Sequence, residues 1–159
     1  MQIQSVSFQN YKAFSTEQKI EIKPITILIG KNSSGKSAIA KLFTLFENSL
    51  TSAIDEPLHI SNNGVKLGGE FRDIVYNNDP KGPVYFSISF NNGQTLKVGI
   101  IKEDDINPTL RIYSWQYKDY DLTYSNPDKL YINKDGTKFS IEFMGFIPNW
   151  QFGDFVTLR

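Results

Sequence analysis

The residues best suited to chemistry lie together in one short stretch of the sequence. Residues 30–37 read GKNSSGKS, a loop bounded by glycines that ends in a lysine and a serine. Gly30 and Gly35 permit backbone angles, and a close approach to phosphate, that a Cβ would obstruct. The peptide N–H groups between them would form an anion-binding nest at the start of a following helix, whose dipole adds to the attraction. The loop therefore predicts phosphate binding.

The end of this loop predicts which phosphates and which metal are bound. Lys36 can reach the β- and γ-phosphates of a nucleoside triphosphate, and the Ser37 hydroxyl can complete the coordination of Mg²⁺. We therefore expect a nucleotide and Mg²⁺ as cofactors, with Ser37 as the metal contact. The alternative is a glycine–serine turn that matches by chance. The predicted nucleotide-binding residues of this segment are Gly30, Lys31, Asn32, Ser33, Ser34, Gly35, Lys36, Ser37 and Ala38.

The elements around the loop must hold it in place. Residues 25–29, ITILI, are continuously apolar and mostly β-branched, which predicts a strand buried on both faces. Residues 37–50 predict a helix, because their apolar residues recur at steps of three and four. Residues 2–8 and 18–23 predict two earlier strands. The helix residues on one face are Ile39, Leu42, Phe43, Phe46 and Leu50.

The chain changes character after residue 52. Residues 53–83 are dense in Asn, Gly, Asp and Pro and predict an irregular linker with one short helix near residues 71–76. Residues 84–159 alternate apolar and polar side chains and predict an antiparallel β region that begins with a hairpin over 84–101. We expect one domain of mixed α/β (α+β) class, in which residues 1–52 form a strand–loop–helix unit beside that β region.

The composition excludes several classes of site. Seventeen basic residues balance seventeen acidic ones, so no overall field favours nucleic acid or membranes. The absence of cysteine excludes disulfides and thiolate chemistry. The single histidine, His59, has no neighbouring nucleophile or metal ligand and is expected in a surface loop. No stretch reads as a signal peptide or a membrane span, so a soluble, cytoplasmic protein is expected.

The beginning of the chain is similar to a known group of ATPases. The segment up to the first helix resembles the N-terminal start of the RecF, SMC and OLD group of ABC-type ATPases. Residues 70–79, EFRDIVYNND, further resemble a segment of bacterial AAA-like ATPases of the OLD-related branch. Beyond residue 80 only the general layout matches. The residues that carry the resemblance are Phe8, Asn10, Tyr11, Lys12 and Phe14, then Gly30, Asn32, Gly35, Lys36 and Ser37.

The resemblance implies an incomplete ATPase head, similar to its first lobe. In the full-length protein, heads of this group bind ATP or ADP and form a head-to-head homodimer around two ATP molecules. Hydrolysis then drives work on DNA, often in repair or phage defence, so DNA is a candidate partner. Lys12 would approach the phosphates or the adenine side, the alternative being an ordinary solvated lysine. Tyr11 and Phe14 could pack against the base, although core positions are favoured.

An ATPase of this kind also needs an apolar strand that ends in Asp-Glu. The nearest candidate is residues 97–105, KVGIIKEDD, but Lys102 interrupts it and the upstream alternation is that of a hairpin. No catalytic residue is therefore assigned, although Glu103, Asp104 and Asp105 remain the nearest carboxylates. Residues 66–70, KLGGE, mimic the ABC signature but are interpreted as a turn.

Two further motifs carry weaker predictions. A glutamine that orients water or binds magnesium is expected; Gln151 is the best placed, with Gln94 and Gln116 less so. The aromatic residues between 113 and 124 could stack nucleic-acid bases, but a sheet face or core is favoured because basic residues are sparse there.

Two functions from different classes remain open. One is the ATP-binding lobe of an ATPase, whose fragment is expected to bind nucleotide weakly and to hydrolyse little or none. The other is a non-catalytic module that holds a nucleotide or phosphate and binds a partner protein. A small-molecule kinase is less favoured, because such enzymes alternate helices with parallel strands after the loop.

Overall fold

An antiparallel sheet is the largest element of the protein. The computed structural model describes residues 2–51, 56–62, 64–66, 68–103 and 109–149. The strands in these residues are β1 (Ile3–Gln9), β2 (Gln18–Glu21), β3 (Ser61–Asn62), β4 (Val65–Lys66), β5 (Val84–Phe90), β6 (Thr95–Lys102), β7 (Leu110–Tyr117), β8 (Tyr120–Ser125), β9 (Leu130–Asn133), β10 (Lys138–Phe139), β11 (Phe143–Met144) and β12 (Ile147–Pro148).

Eight of these strands form the main sheet, in the order β10-β9-β8-β7-β6-β5-β1-β2. Each pairs with its neighbours in antiparallel fashion. The predicted hairpin is confirmed as β5 and β6, since its alternating apolar side chains are buried. The buried residues of the hairpin are Val84, Phe86, Ile88, Phe90, Leu96, Val98 and Ile100. The mixed class is therefore confirmed, with the sheet mostly antiparallel.

One helix, α1 (Lys36–Leu50), covers the sheet. It begins one residue before the predicted start, and its apolar face contains the fully buried Leu42 and Phe46. The Phe46 ring lies edge-on to Phe86 of β5, with ring centroids 5.1 Å apart. Burying a side chain of this size stabilises the fold by about 1.5–3 kcal/mol. In the part of the chain that the structure describes, no helix combines the length and the apolar character needed to cross a membrane.

A small hairpin of β11 and β12 packs against the C-terminal end of α1. Phe146 at its tip is fully buried, and its N–H donates to the Ser49 carbonyl oxygen at 2.7 Å. The Trp115 indole donates to the Phe146 carbonyl oxygen at 2.8 Å. Gly145 has φ +61°, and a Cβ there would lie 2.3 Å from the Ser49 carbonyl oxygen. The hairpin thus links the end of α1 to β7.

The predicted buried strand over residues 25–29 is wrong. These residues have no regular secondary structure. Ile25, Ile27 and Ile29 are 81%, 76% and 91% exposed. A strand buried on both faces needs partners for its backbone on both sides, and no strand among the described residues pairs with this segment. The structure therefore contains the loop and helix of the predicted unit without its strand.

The segment predicted as an irregular linker packs into the core. It contains the two-residue strands β3 and β4 and two 3₁₀ helices, Phe71–Asp73 and Tyr76–Asn78, in place of the single short helix expected. The 3₁₀ helices bring Phe71, Ile74 and Val75 into the hydrophobic core. These residues consequently fix the backbone of the segment beside α1.

Candidate functional site

The glycine-bounded loop turns the chain sharply into the first turn of α1. Two of its residues adopt left-handed angles, Ser33 with φ 64° and Gly35 with φ 90°. A Cβ on Gly30 would lie 2.8 Å from the Ser34 hydroxyl oxygen, inside the loop. These conformations bring successive peptide groups to the N-terminus of the helix, which is the arrangement that binds anions.

Lys36 folds back over the loop. Its ammonium group donates to the carbonyl oxygens of Gly30, at 2.7 Å, and Lys31, at 2.6 Å. The Ser34 hydroxyl oxygen lies 3.4 Å away. The positive charge is thereby held against the loop backbone, close to the peptide groups at the start of α1.

A cavity of about 550 Å³ opens beside the loop. One wall consists of the loop and the first turn of α1, residues 32–38. The opposite wall comes from two distant parts of the sequence, Lys12 and Ala13 after β1, and four residues between 73 and 78. The predicted site residues from Asn32 to Ala38 and Lys12 thus share one cavity. Gly30 and Lys31 belong to the same loop but do not line the cavity.

Two aromatic residues of the turn after β1 pack against the glycine-bounded loop and the first turn of α1. Tyr11 is fully buried, and its hydroxyl donates to the Ala38 carbonyl oxygen at 2.9 Å. The Phe14 ring packs so closely on Gly35 that a Cβ there would lie 2.6 Å from its Cζ. Burial raises the pKa of the Tyr11 hydroxyl above its usual range. Both side chains therefore occupy core positions, as the sequence favoured.

Lys12 is partly buried and hydrogen-bonded, unlike an ordinary solvated lysine. Its backbone has φ 52°, its N–H donates to the Ile74 carbonyl oxygen at 2.8 Å, and its ammonium donates to the Asp73 carbonyl oxygen at 2.7 Å. Burial lowers the pKa of Lys12; the charge of Lys41 lowers it further, and the carboxylate of Asp73 opposes both. Lys12 thus joins the two segments of the second wall.

Residues 70–78 are the part of the site that the sequence did not assign. The Asp73 carboxylate accepts hydrogen bonds from the Gly69 and Glu70 N–H groups, at 2.7 and 2.9 Å. These bonds, that of Glu70 first, hold the pKa of Asp73 below its usual range. Asn77 and Asn78 both have φ 54°. The two consecutive asparagines could have indicated a tight turn at this position, since asparagine tolerates left-handed angles better than most residues.

The nearest acidic candidate, Glu103, lies away from the cavity, directly after β6. Glu103 is buried, and its carboxylate accepts hydrogen bonds from the Arg111 guanidinium at 2.6 Å and the Tyr124 hydroxyl at 3.1 Å. These bonds satisfy both carboxylate oxygens, so the ion pair accounts for the buried charge. Asp104 and Asp105 lie outside the described residues.

The remaining sequence candidates do not line the cavity. Gln94 and Gln116 belong to the β5–β6 turn and β7, Gln151 is outside the described residues, and His59 is exposed. The aromatic residues between 113 and 124 that are most buried, Trp115 and Tyr117 among them, pack in the core. Gly69 and Glu70 of the KLGGE stretch form a bend, in agreement with the turn interpretation.

One family model matches most of this sequence. The family model of the AAA ATPase domain matches residues 1–144. The match includes the glycine-bounded loop, α1 and both walls of the cavity. No curated protein matches the sequence. The chain belongs to the AAA ATPase domain family, a family of nucleotide-binding ATPases.

Proposed function

We propose that this chain is the ATP-binding N-terminal lobe of an ABC-type ATPase of the RecF, SMC and OLD group. Residues 30–38 would bind Mg-ATP, with Lys12 on the opposite wall of the cavity. The observation that carries the proposal is the glycine-bounded loop at the N-terminus of α1, open to a cavity of about 550 Å³. A helix of 15 residues that begins at Lys36 places its positive dipole end at this loop.

The residues of the loop fit a magnesium-bound triphosphate. Lys36 would exchange its hydrogen bonds to the Gly30 and Lys31 carbonyl oxygens for phosphate oxygens, which carry full charge and attract the ammonium more strongly. The exposed Ser37 hydroxyl lies on the cavity wall and would contact Mg²⁺. When bound, the metal would neutralise charge that develops between the β- and γ-phosphates.

Hydrolysis would require carboxylates beyond the described residues. Asp73 is the one carboxylate of the described residues that lines the cavity, and its Oδ2 already accepts two backbone hydrogen bonds. In the full-length protein, a head-to-head homodimer would hydrolyse ATP and couple it to DNA repair or phage defence. The resemblance of residues 8–37 to this group supports that part of the proposal.

The magnesium dependence of ATP binding tests the proposal. Calorimetry of the 159-residue chain should give tighter ATP binding with Mg²⁺ than with a chelator. Ser37→Ala should abolish that difference, while Ser37→Thr, which keeps the hydroxyl, should preserve it. ATP binding that ignores both Mg²⁺ and Ser37→Ala would contradict a triphosphatase site.

A second candidate is a non-catalytic nucleotide- or phosphate-binding interaction module. It is favoured because the Asp73 carboxylate already accepts two backbone hydrogen bonds. In such a module the loop holds a phosphate as a structural ligand, and the sheet binds a partner protein. An ATPase assay on the longest native chain separates the two functions. Turnover that Lys36→Ala abolishes supports the ATPase, whereas ATP binding without turnover supports the module.

A further inference from the structure

Two consecutive asparagines line the same cavity as the glycine-bounded loop. Asn77 and Asn78 are exposed, both have φ 54°, and both line the cavity. Within the described residues, neither side-chain amide takes part in a hydrogen bond to the protein. Each amide carries two N–H donors and an acceptor oxygen, so this wall offers hydrogen-bonding groups that the fold itself does not use.

The turn that carries these amides is held firmly by its neighbours. The Asn78 N–H donates to the Val75 carbonyl oxygen at 3.2 Å, and the Tyr76 N–H donates to the Asn10 carbonyl oxygen at 3.2 Å. Val75 also forms a β-bridge with Tyr11, and both side chains are buried. A turn fixed in this way loses little backbone freedom when its side chains bind a ligand.

Charge divides the cavity into two chemically different ends. Lys36 and the N-terminus of α1 supply positive charge at the loop, where phosphates bind best. The second wall carries the neutral amides of Asn77 and Asn78 and one charge of each sign, the Lys12 ammonium and the Asp73 carboxylate, both hydrogen-bonded to backbone. A triphosphate at the loop would therefore leave the uncharged nucleoside for this second wall.

We infer that the Asn77–Asn78 turn recognises the adenine of the bound nucleotide. An amide can both accept a hydrogen bond from adenine N6 and donate one to N7, whereas guanine presents two acceptors, O6 and N7, along that edge. The inference rests on the proposed ATP site and adds a specificity determinant to it. Residues 30–38 bind the phosphates, and this turn makes the site prefer adenosine to other nucleosides.

Comparing ATP with inorganic tripolyphosphate tests this division. In the double variant N77G/N78G, glycine keeps the left-handed turn and removes both amides. We expect ATP to bind about tenfold more weakly to this variant, while tripolyphosphate binds as it does to the wild type. Lys129→Gly is the matched control, because Lys129 also has positive φ, 53°, and lies outside the cavity. This control should leave both affinities unchanged.

A second pair of variants guards against a folding defect. The single variants Asn77→Gly and Asn78→Gly each remove one amide, add no charge and keep the left-handed backbone, so each should weaken ATP binding and leave tripolyphosphate binding unchanged. Wild-type protein should also bind ATP more tightly than GTP. Equal weakening of ATP and tripolyphosphate, unchanged ATP affinity, or equal affinity for ATP and GTP would overturn the inference. Failure of wild-type protein to bind tripolyphosphate would instead contradict the proposed phosphate site.

Discussion

The Tyr11 hydroxyl donates a 2.9 Å hydrogen bond to the carbonyl oxygen of Ala38, in the first turn of α1. Tyr11 also forms β-bridges with Phe14 and Val75. The backbone and side chain of this one buried residue thus join the turn after β1, the start of the helix and the second wall of the cavity. The Tyr11–Ala38 bond helps to fix the start of α1 relative to that wall.

Replacing Tyr11 by phenylalanine should destabilise the protein by about 1 kcal/mol, because it removes a buried hydrogen bond and leaves the ring in place. Urea unfolding followed by circular dichroism measures the change. Tyr85→Phe is the control, since Tyr85 is 37% exposed and its hydroxyl makes no hydrogen bond within the described residues. Equal effects of the two substitutions would contradict a specific role for the Tyr11 bond.

Gly35→Ala should be costlier than a glycine substitution of similar backbone geometry. Gly136 has φ +86° and open space around its Cβ position, whereas Gly35 has φ +90° and faces Phe14. Gly136→Ala should cost about 1 kcal/mol from backbone strain alone. Gly35→Ala should cost about 1–3 kcal/mol more, because its Cβ would overlap the Phe14 ring. Equal losses in thermal unfolding would argue against that overlap.

Making Gly35→Ala in a protein that also carries Phe14→Ala isolates the contact between the Phe14 ring and residue 35. With the ring removed, Gly35→Ala should cost no more than Gly136→Ala, and the double-mutant cycle should give a favourable coupling of about 1–3 kcal/mol. Strictly additive losses would show that Phe14 and Gly35 do not interact.

Glu103→Gln should destabilise the sheet without changing ATP affinity. The substitution leaves the partly exposed Arg111 guanidinium without its carboxylate, which should cost about 2 kcal/mol. The control, Glu21→Gln, breaks an exposed pair with Lys23 at 3.3 Å and should cost at most about 1 kcal/mol. Loss of magnesium-dependent ATP binding in Glu103→Gln would instead support a role for Glu103 at the metal.

Stability should fall as the pH rises above about 10, the ordinary pKa of tyrosine. Burial raises the pKa of Tyr11 and of Tyr131. Above pH 10 these tyrosines ionise in the unfolded chain and stay protonated in the native state, so the native state binds more protons and the free energy of unfolding decreases with pH. Each should contribute a slope of about 1.4 kcal/mol per pH unit.

Urea titrations between about pH 8 and 11 measure this slope. Tyr131→Phe should reduce the slope above pH 10 by about 1.4 kcal/mol per pH unit, its own contribution. A wild-type slope of zero, or an unchanged slope in the variant, would contradict the burial of these hydroxyls.

The sequence predicted the elements whose structure is decided by residues close together in the chain. The alternation in residues 84–100 indicated β5 and β6, and the spacing of Leu42 and Phe46 indicated the buried face of α1. The glycines and lysine of residues 30–37 indicated the loop and its position before the helix. In each case the side chains that decide the structure lie within a few residues of one another.

The sequence failed where structure depends on distant partners. The apolar stretch at residues 25–29 suggested a buried strand, yet a strand needs a hydrogen-bonded partner, and none of the described strands pairs with this segment. The second wall of the cavity joins residues 10–13 to residues 73–78. Sequence spacing carries no sign of that contact, which arises from backbone hydrogen bonds across about 60 residues.

The ATP affinity of Lys36→Ala tests the central claim most directly. Lys134→Ala is its control, because Lys134 is exposed, follows β9 and lies outside the cavity. With Mg²⁺ present, Lys36→Ala should weaken ATP binding by roughly 10- to 100-fold, the effect of losing one charged hydrogen-bond donor, while Lys134→Ala matches the wild type. If Lys36→Ala binds ATP as tightly as the wild type, residues 30–37 do not form the nucleotide site.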